Sequence, residues 1–122
     1  MDFYQPLRDY SKRGVGLLLV PAEDYGIRSD GKWHAQVAIL QSISGGFSLA
    51  RAAFFGMLSL SDSHGRILAW AETKINEETY LIGKLPFGPG RTFYAQAGNW
   101  FGCLNLLIAL FFLCYLCYHR AQ

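Results

Sequence analysis

Apolar residues run almost unbroken through the last stretch of the chain. Trp100 to Tyr118 carries no charge, and Asn105 is its one clearly polar side chain. That length matches the ~20 residues an α-helix needs to cross the hydrocarbon of a bilayer. Ten of these residues are Leu, Ile or Phe. Each favours insertion by roughly 0.3–0.6 kcal/mol, which together outweighs one amide. Trp100, Phe101, Tyr115 and Tyr118 put aromatic rings near both ends, as in an interfacial belt, and His119 and Arg120 close the run. A buried core helix and an apolar tail that is later removed are the competing readings. The first lacks the polar stripe such a helix usually keeps. The second needs small residues and a polar spacer, which Gly98-Asn99-Trp100 does not supply.

Upstream, the pattern breaks into short elements. Asp2 to Arg13 is polar with scattered aromatics and predicts a short helix, with Pro6 near its start and Gly14 ending it. Val15 to Val20 is a continuous apolar run between Gly and Pro, which predicts a strand buried on both faces. Pro21 to Lys32 reads as a loop. Trp33 to Ser44 has helical spacing, with Val37, Leu40 and Ser44 on the face of Trp33, and Gly45-Gly46 stops it. Phe47–Arg51 and Met57–Ser61 predict two strands, and Asp62-Ser63-His64-Gly65 is a turn into a returning strand, Arg66–Trp70. Glu72–Glu78 is a polar connection, Thr79–Leu85 a last strand, and Pro86–Gly90 a Pro/Gly loop. Strand, helix, strand, hairpin, strand implies a mixed α/β layered body.

Composition narrows the chemistry. With 122 residues the chain permits one domain and a thin core. The net charge of +2 is spread along it without a basic run, so nucleic acid is not an expected partner. Cys103, Cys114 and Cys117 all fall in the apolar segment, which excludes a disulfide framework for the body. Cys114 and Cys117 form a C-x-x-C pair, but redox or zinc chemistry needs a polar access that lipid denies. Small hydrophobes are the better reading for them, with Cys117 a weak candidate for palmitoylation. The three histidines are far apart, and neither a metal spacing nor a phosphate-binding glycine loop occurs, so no metal or cofactor is expected. Met1 to Gly14 is polar and contains Arg8, Lys12 and Arg13, unlike a secretory signal.

Two stretches carry a resemblance. Phe47-Ser48-Leu49-Ala50-Arg51-Ala52-Ala53-Phe54-Phe55-Gly56, followed by Asp62-Ser63-His64-Gly65-Arg66-Ile67-Leu68-Ala69, resembles the nitrilase (carbon–nitrogen hydrolase) superfamily, with its R-A-x-x-x-G step and D-x-x-G-R-[IV]-L-A hairpin. Gly16-Leu17-Leu18-Leu19-Val20-Pro21 fits that family's apolar strand, and His34 and Ala38 its next helix. The juncture Gly90-Arg91-Thr92-Phe93-Tyr94-Ala95-Gln96-Ala97-Gly98-Asn99-Trp100-Phe101 is similar to the T-x-Y-x-x-x-G-[DN]-W segment that leads apolipoprotein N-acyltransferases into their last membrane helix.

The resemblance implies a partial αββα sandwich, its C-terminal half, followed by one transmembrane helix. Residues 1–89 would be the partial domain, 90–99 a connector, 100–118 the membrane helix and 119–122 a tail. The family uses a Glu–Lys–Cys triad, in which a Cys thiolate attacks a carbonyl, Glu is the general base and Lys stabilises the oxyanion. In the acyltransferases the donor is a membrane phospholipid. No residue here occupies a triad motif; the chain begins just after the family's nucleophile, and no catalytic residue is expected in it. Two departures replace polar groups near the family's active-site face. Gln41-Ser42-Ile43-Ser44-Gly45-Gly46 lacks the Arg and Glu of R-A-x-E-x-G, and Phe54-Phe55 stands where acyltransferases favour Asn-Asn.

Glu23, Asp24 and Tyr25 follow the first strand, where the family places a substrate-lining loop; a solvated loop is the plainer reading. Arg51, Gly56, Asp62, Gly65 and Arg66 read as structural, Arg51 through a hydrogen bond or ion pair, since an unpaired guanidinium is costly to bury. Tyr94, Trp100 and Phe101 read as anchors at headgroup level. The expected partners are membrane lipid and either the other half of the same fold or a second copy. The expected place is a bacterial cytoplasmic membrane with the body on the outer face, although Lys84 and Arg91 against Arg120 lean faintly the other way. A non-catalytic membrane-tethered module and part of an anchored amidase for small amides are the alternatives. A lone half-sandwich leaves an apolar face and strand edges bare, so residues 1–99 alone are expected to aggregate or stay partly unfolded.

Overall fold

The computed structural model describes residues 4–24, 30–73 and 78–120. Helix α1, Tyr4–Lys12, is followed by strand β1, Leu17–Glu23, and helix α2, Asp30–Gly45. Strands β2 (Ser48–Phe54), β3 (Met57–Ser61) and β4 (Ile67–Glu72) come next, then a short helix α3 (Phe93–Ala97) and the long helix α4 (Trp100–Arg120). The strands form one sheet in the order β1-β2-β3-β4, with β1 parallel to β2 and the other pairs antiparallel. The architecture is mixed α/β with a C-terminal apolar helix, the coarse class expected from the apolar patterning.

Local chemistry explains most element ends. Gly46, at φ +74°, takes the left-handed position that ends α2, and its N–H bonds back to Ser42. Phe55 and Gly56 join β2 to β3 directly, with Phe55 at φ 58°. β1 starts later than the apolar run suggested and continues through Pro21 to Glu23. A proline is tolerated there because β1 is an edge strand and its partner lies on one side only.

Three expectations are corrected. The predicted strand Thr79–Leu85 is not a strand. The segment crosses the sheet instead, with Gly83 against Leu60 and Ala69, the Pro86 carbonyl accepting from Ser48 Oγ, and the Gly88 N–H donating to Gly16 O at 2.8 Å. Its alternating pattern satisfies a strap as readily as a strand, since one face meets the sheet and the other meets water. The second correction concerns α2. Ala35, Ile39 and Ser42 face the sheet, while Trp33 and Leu40 are about two-thirds exposed, at 64% and 65%. This helix has apolar residues on every side, so periodicity does not select a face. Close approach does: a side chain at Gly31 would meet the Gly56 backbone, so the small-residue side lies down.

The third correction is that β1 is not buried on both faces. α2 lies over the side of the sheet bearing Leu49, Arg51, Ala53, Met57, Ser59 and Ser61, all buried. The opposite side bears Leu19, Ala50, Ala52, Phe54, Leu58, Leu60, Ala69 and Ala71, which the strand pairings set side by side. Leu19 is 69% exposed and Phe54 61%. Beyond the strap this face is bare around Leu19, Ala52 and Phe54, with the exposed Glu23 at its edge.

Candidate functional site

Asp24 follows β1 directly, and its backbone N–H extends the ladder to Phe54 O at 3.0 Å. Because consecutive residues of an extended strand point to opposite faces, Glu23 is exposed while Asp24 turns inward and is buried. Arg51 Nη2 donates to both Asp24 oxygens at 2.7 Å, and Arg51 Nη1 donates to Met57 O at 2.8 Å. His34, in the first turns of α2, brings Nδ1 to 3.0 Å from Asp24 Oδ1 while half of its side chain stays in water. Gly56 is required here, because a methyl at that position would collide with the Asp24 carboxylate. Arg51 thus has the ion pair that its apolar strand demands.

The cluster is a clamp. It joins the end of β1, the middle of β2, the start of β3 and the N-terminal part of α2. Both carboxylate oxygens are engaged by the guanidinium, so Asp24 offers no lone acid or base to a substrate. Of the three loop residues singled out in the sequence, Glu23 and Asp24 do not share a surface, and Tyr25 lies outside the described residues.

Asp62 organises a second knot at the β3–β4 turn. Its Oδ1 accepts from the His64 and Arg66 backbone N–H groups at 3.0 and 2.9 Å, and its Oδ2 accepts from Arg66 Nε at 2.6 Å. Gly65, at φ +82°, closes the turn. Burial pushes the Asp62 carboxyl up, but the bonds from Arg66 and His64 outweigh it and hold the group below the ordinary 3.8. These residues build a hairpin, and His64 is exposed at its tip.

The third assembly lies at the start of α4. Thr92 caps α3, accepting from the Ala95 N–H at 3.1 Å and donating to Ser44 O. Arg8 reaches across from α1 to the α3 carbonyls of Ala95 and Gln96, at 2.7 and 3.2 Å. No local signal could have revealed that bond, since its partners are 87 residues apart in sequence. α4 has 21 residues, about 31 Å at 1.5 Å per residue, and none is buried against the body. It is one candidate membrane-spanning helix by length and composition. Asn105 Nδ2 donates to Phe101 O at 2.7 Å, so the amide within the apolar run finds an acceptor inside the helix. Trp100 and Phe101 are exposed, and Trp100 packs edge-on against Phe93 at 5.9 Å.

An apolar cleft of about 280 Å³ separates α1, α2 and β1, lined by Leu7, Tyr10, Val20, Pro21 and Gln41 among others. Tyr10 and Gln41 are the polar side chains of its described lining, which includes no carboxylate, thiol or imidazole. Among the described residues no three His, Cys, Asp or Glu side chains gather into a metal-binding group. The three cysteines stay apart from the body, exposed along α4. Compared with known protein families, curated proteins and solved structures, the chain matches none.

Proposed function

We propose that this chain is the membrane-anchored, non-catalytic half of a carbon–nitrogen-hydrolase-type sandwich, most similar to the C-terminal part of an apolipoprotein N-acyltransferase. The bare apolar sheet face carries the reading. A sheet covered by helices on one side and apolar on the other is one α/β layer pair. An αββα sandwich stacks two such pairs with the sheets about 10 Å apart. Leu19 and Phe54, exposed on that face beyond the strap, would be the contact surface for the second sheet.

The residues that carry the resemblance support a scaffold role. Arg51 and Gly56 serve the clamp, and Asp62, Gly65 and Arg66 serve the hairpin. In this reading the attacking Cys, the general base Glu and the oxyanion-binding Lys belong to the other layer. The present half supplies the wall that fixes their geometry, and α4 holds the assembly where a phospholipid can donate its acyl group.

Split complementation tests it. The chain is co-expressed with the N-terminal part of an apolipoprotein N-acyltransferase, through its nucleophile, in cells depleted of their own enzyme. Mass spectrometry of a lipoprotein N-terminus reads acylation. Acylation that needs both halves, and is lost in Phe54→Asp, is the expected result. Membrane insertion of both halves with neither co-purification nor acylation overturns the proposal.

A further inference from the structure

The fold gathers basic residues that the sequence keeps apart. α1 is pinned to the connector before α4 by Arg8 on the α3 carbonyls and by Ser11 Oγ, which donates to Gly90 O at 3.3 Å. The turn after α1 then lies against the same connector. A side chain at Gly90 would meet the Gly14 carbonyl, and one at Gly14 would come 3.8 Å from Arg91 Nε. Lys12, at the end of α1, and Arg13, in the turn after it, therefore share one end of the body with Arg91. All three are exposed, and none makes an ion pair among the described residues. Exposed Asp9 is the acidic residue of the described part of α1, and its backbone carbonyl accepts the Arg13 N–H.

This end of the body is the end from which α4 departs. β1 and β2 both start there, since Gly16, Gly46 and Gly88 meet at their first residues. The Asp24 carboxylate of the clamp follows the far end of β1, roughly 20 Å away at six steps of about 3.3 Å along that strand. Phe93, Trp100 and Phe101 are exposed on the same connector and helix entry. Exposed cations and exposed aromatics thus stand together where α4 leaves the body.

We propose that Lys12, Arg13 and Arg91 form a binding surface for the headgroups of anionic phospholipids. The guanidinium groups of Arg13 and Arg91 suit phosphate oxygens in a two-pronged geometry, and the Lys12 ammonium adds a point charge. A negative membrane surface attracts such residues when they lie within a Debye length of it. The inference rests on the membrane reading of α4 alone and is independent of the sandwich.

The full chain is reconstituted into phosphatidylcholine bilayers, and the relative association of spin-labelled phosphatidylglycerol over spin-labelled phosphatidylcholine is measured at its boundary. At low salt the phosphatidylglycerol should be preferred, and high salt should abolish the preference. Each of Lys12→Gln, Arg13→Gln and Arg91→Gln should cut it by up to about fivefold. Lys32→Gln removes a cation that pairs with Glu72 at the clamp end, and should leave the preference unchanged. Equal association of the two lipids with the wild-type chain overturns the proposal. So does a preference that survives the triple variant while its circular dichroism stays wild-type. A chain that does not enter the bilayer overturns the membrane reading and this surface with it. Normal incorporation with failed complementation removes only the sandwich.

Discussion

Replacing Arg51 with methionine should be among the most damaging single changes in the body. The substitution keeps a long apolar stem in β2 but deletes the guanidinium, which makes two bonds to Asp24 and one to the Met57 carbonyl. Asp24 is 4% exposed, so its carboxylate would be left in the interior with only the His34 contact. Breaking a buried pair from one side costs about 3–5 kcal/mol. A whole domain is stable by only about 5–15 kcal/mol. The core is also thin, since Ser42, Ser59 and Ser61 occupy buried positions beside Phe47, Leu49 and Ile39. Arg51→Met should therefore remove much of the cooperative transition. Removing both charges in Asp24→Leu/Arg51→Met should recover about 2 kcal/mol or more of that loss, because no charge is then stranded. Urea unfolding of the full chain in mild detergent, followed by the fluorescence of Trp33 and Trp70, measures both variants. A loss below about 1 kcal/mol for Arg51→Met would refute the clamp, as would a double variant no better than the sum of the singles.

Two further outcomes follow from the hairpin and the bare face. The Asp62 carboxyl is held below its ordinary value, so the native state binds that proton less readily than the unfolded chain does. Its stabilising contribution is present above about pH 4 and is lost as the pH falls through the lowered value. Thermal melts of the wild type should drop as the pH falls below about 4 by more than those of Asp62→Asn; parallel profiles would remove Asp62 from the account. Residues 1–99, separated from α4, should elute as aggregates, and Leu19→Lys/Phe54→Lys should shift them toward monomer because both side chains project from the bare face. A cooperative, monomeric melt of unmodified 1–99 would contradict this.

Elements governed by neighbours in sequence were legible from the sequence alone. α4 needs only a charge-free run of spanning length, and its single amide bonds within the helix. The Asp62–Gly65 turn is written in an aspartate that accepts the backbone N–H groups two and four residues on, and in a glycine at φ +82°. The end of α2 at Gly45-Gly46 and the bounds of β3 are local in the same sense. Even the need of Arg51 for a partner could be read, because burying an unpaired guanidinium is prohibitive.

The identity of that partner could not be read, nor could anything else that depends on distant contacts. Asp24 is next to two other candidates for the same loop, and only strand alternation and the close approach at Gly56 turn it toward Arg51. The face that α2 buries was undecidable from a helix apolar all round; the small residues beneath it made the choice. Thr79–Leu85 has strand-like patterning, but the sheet gives it a face to cross rather than an edge to pair with. The α1–α3 junction, and the meeting of Lys12, Arg13 and Arg91 that it creates, has no sequence signature, because charges distant along the chain become neighbours only when packing closes the chain between them. Elements whose energies are local follow from residue order alone. Tertiary structure decided which surfaces those elements cover, which they leave bare, and which charges stand together at the start of α4.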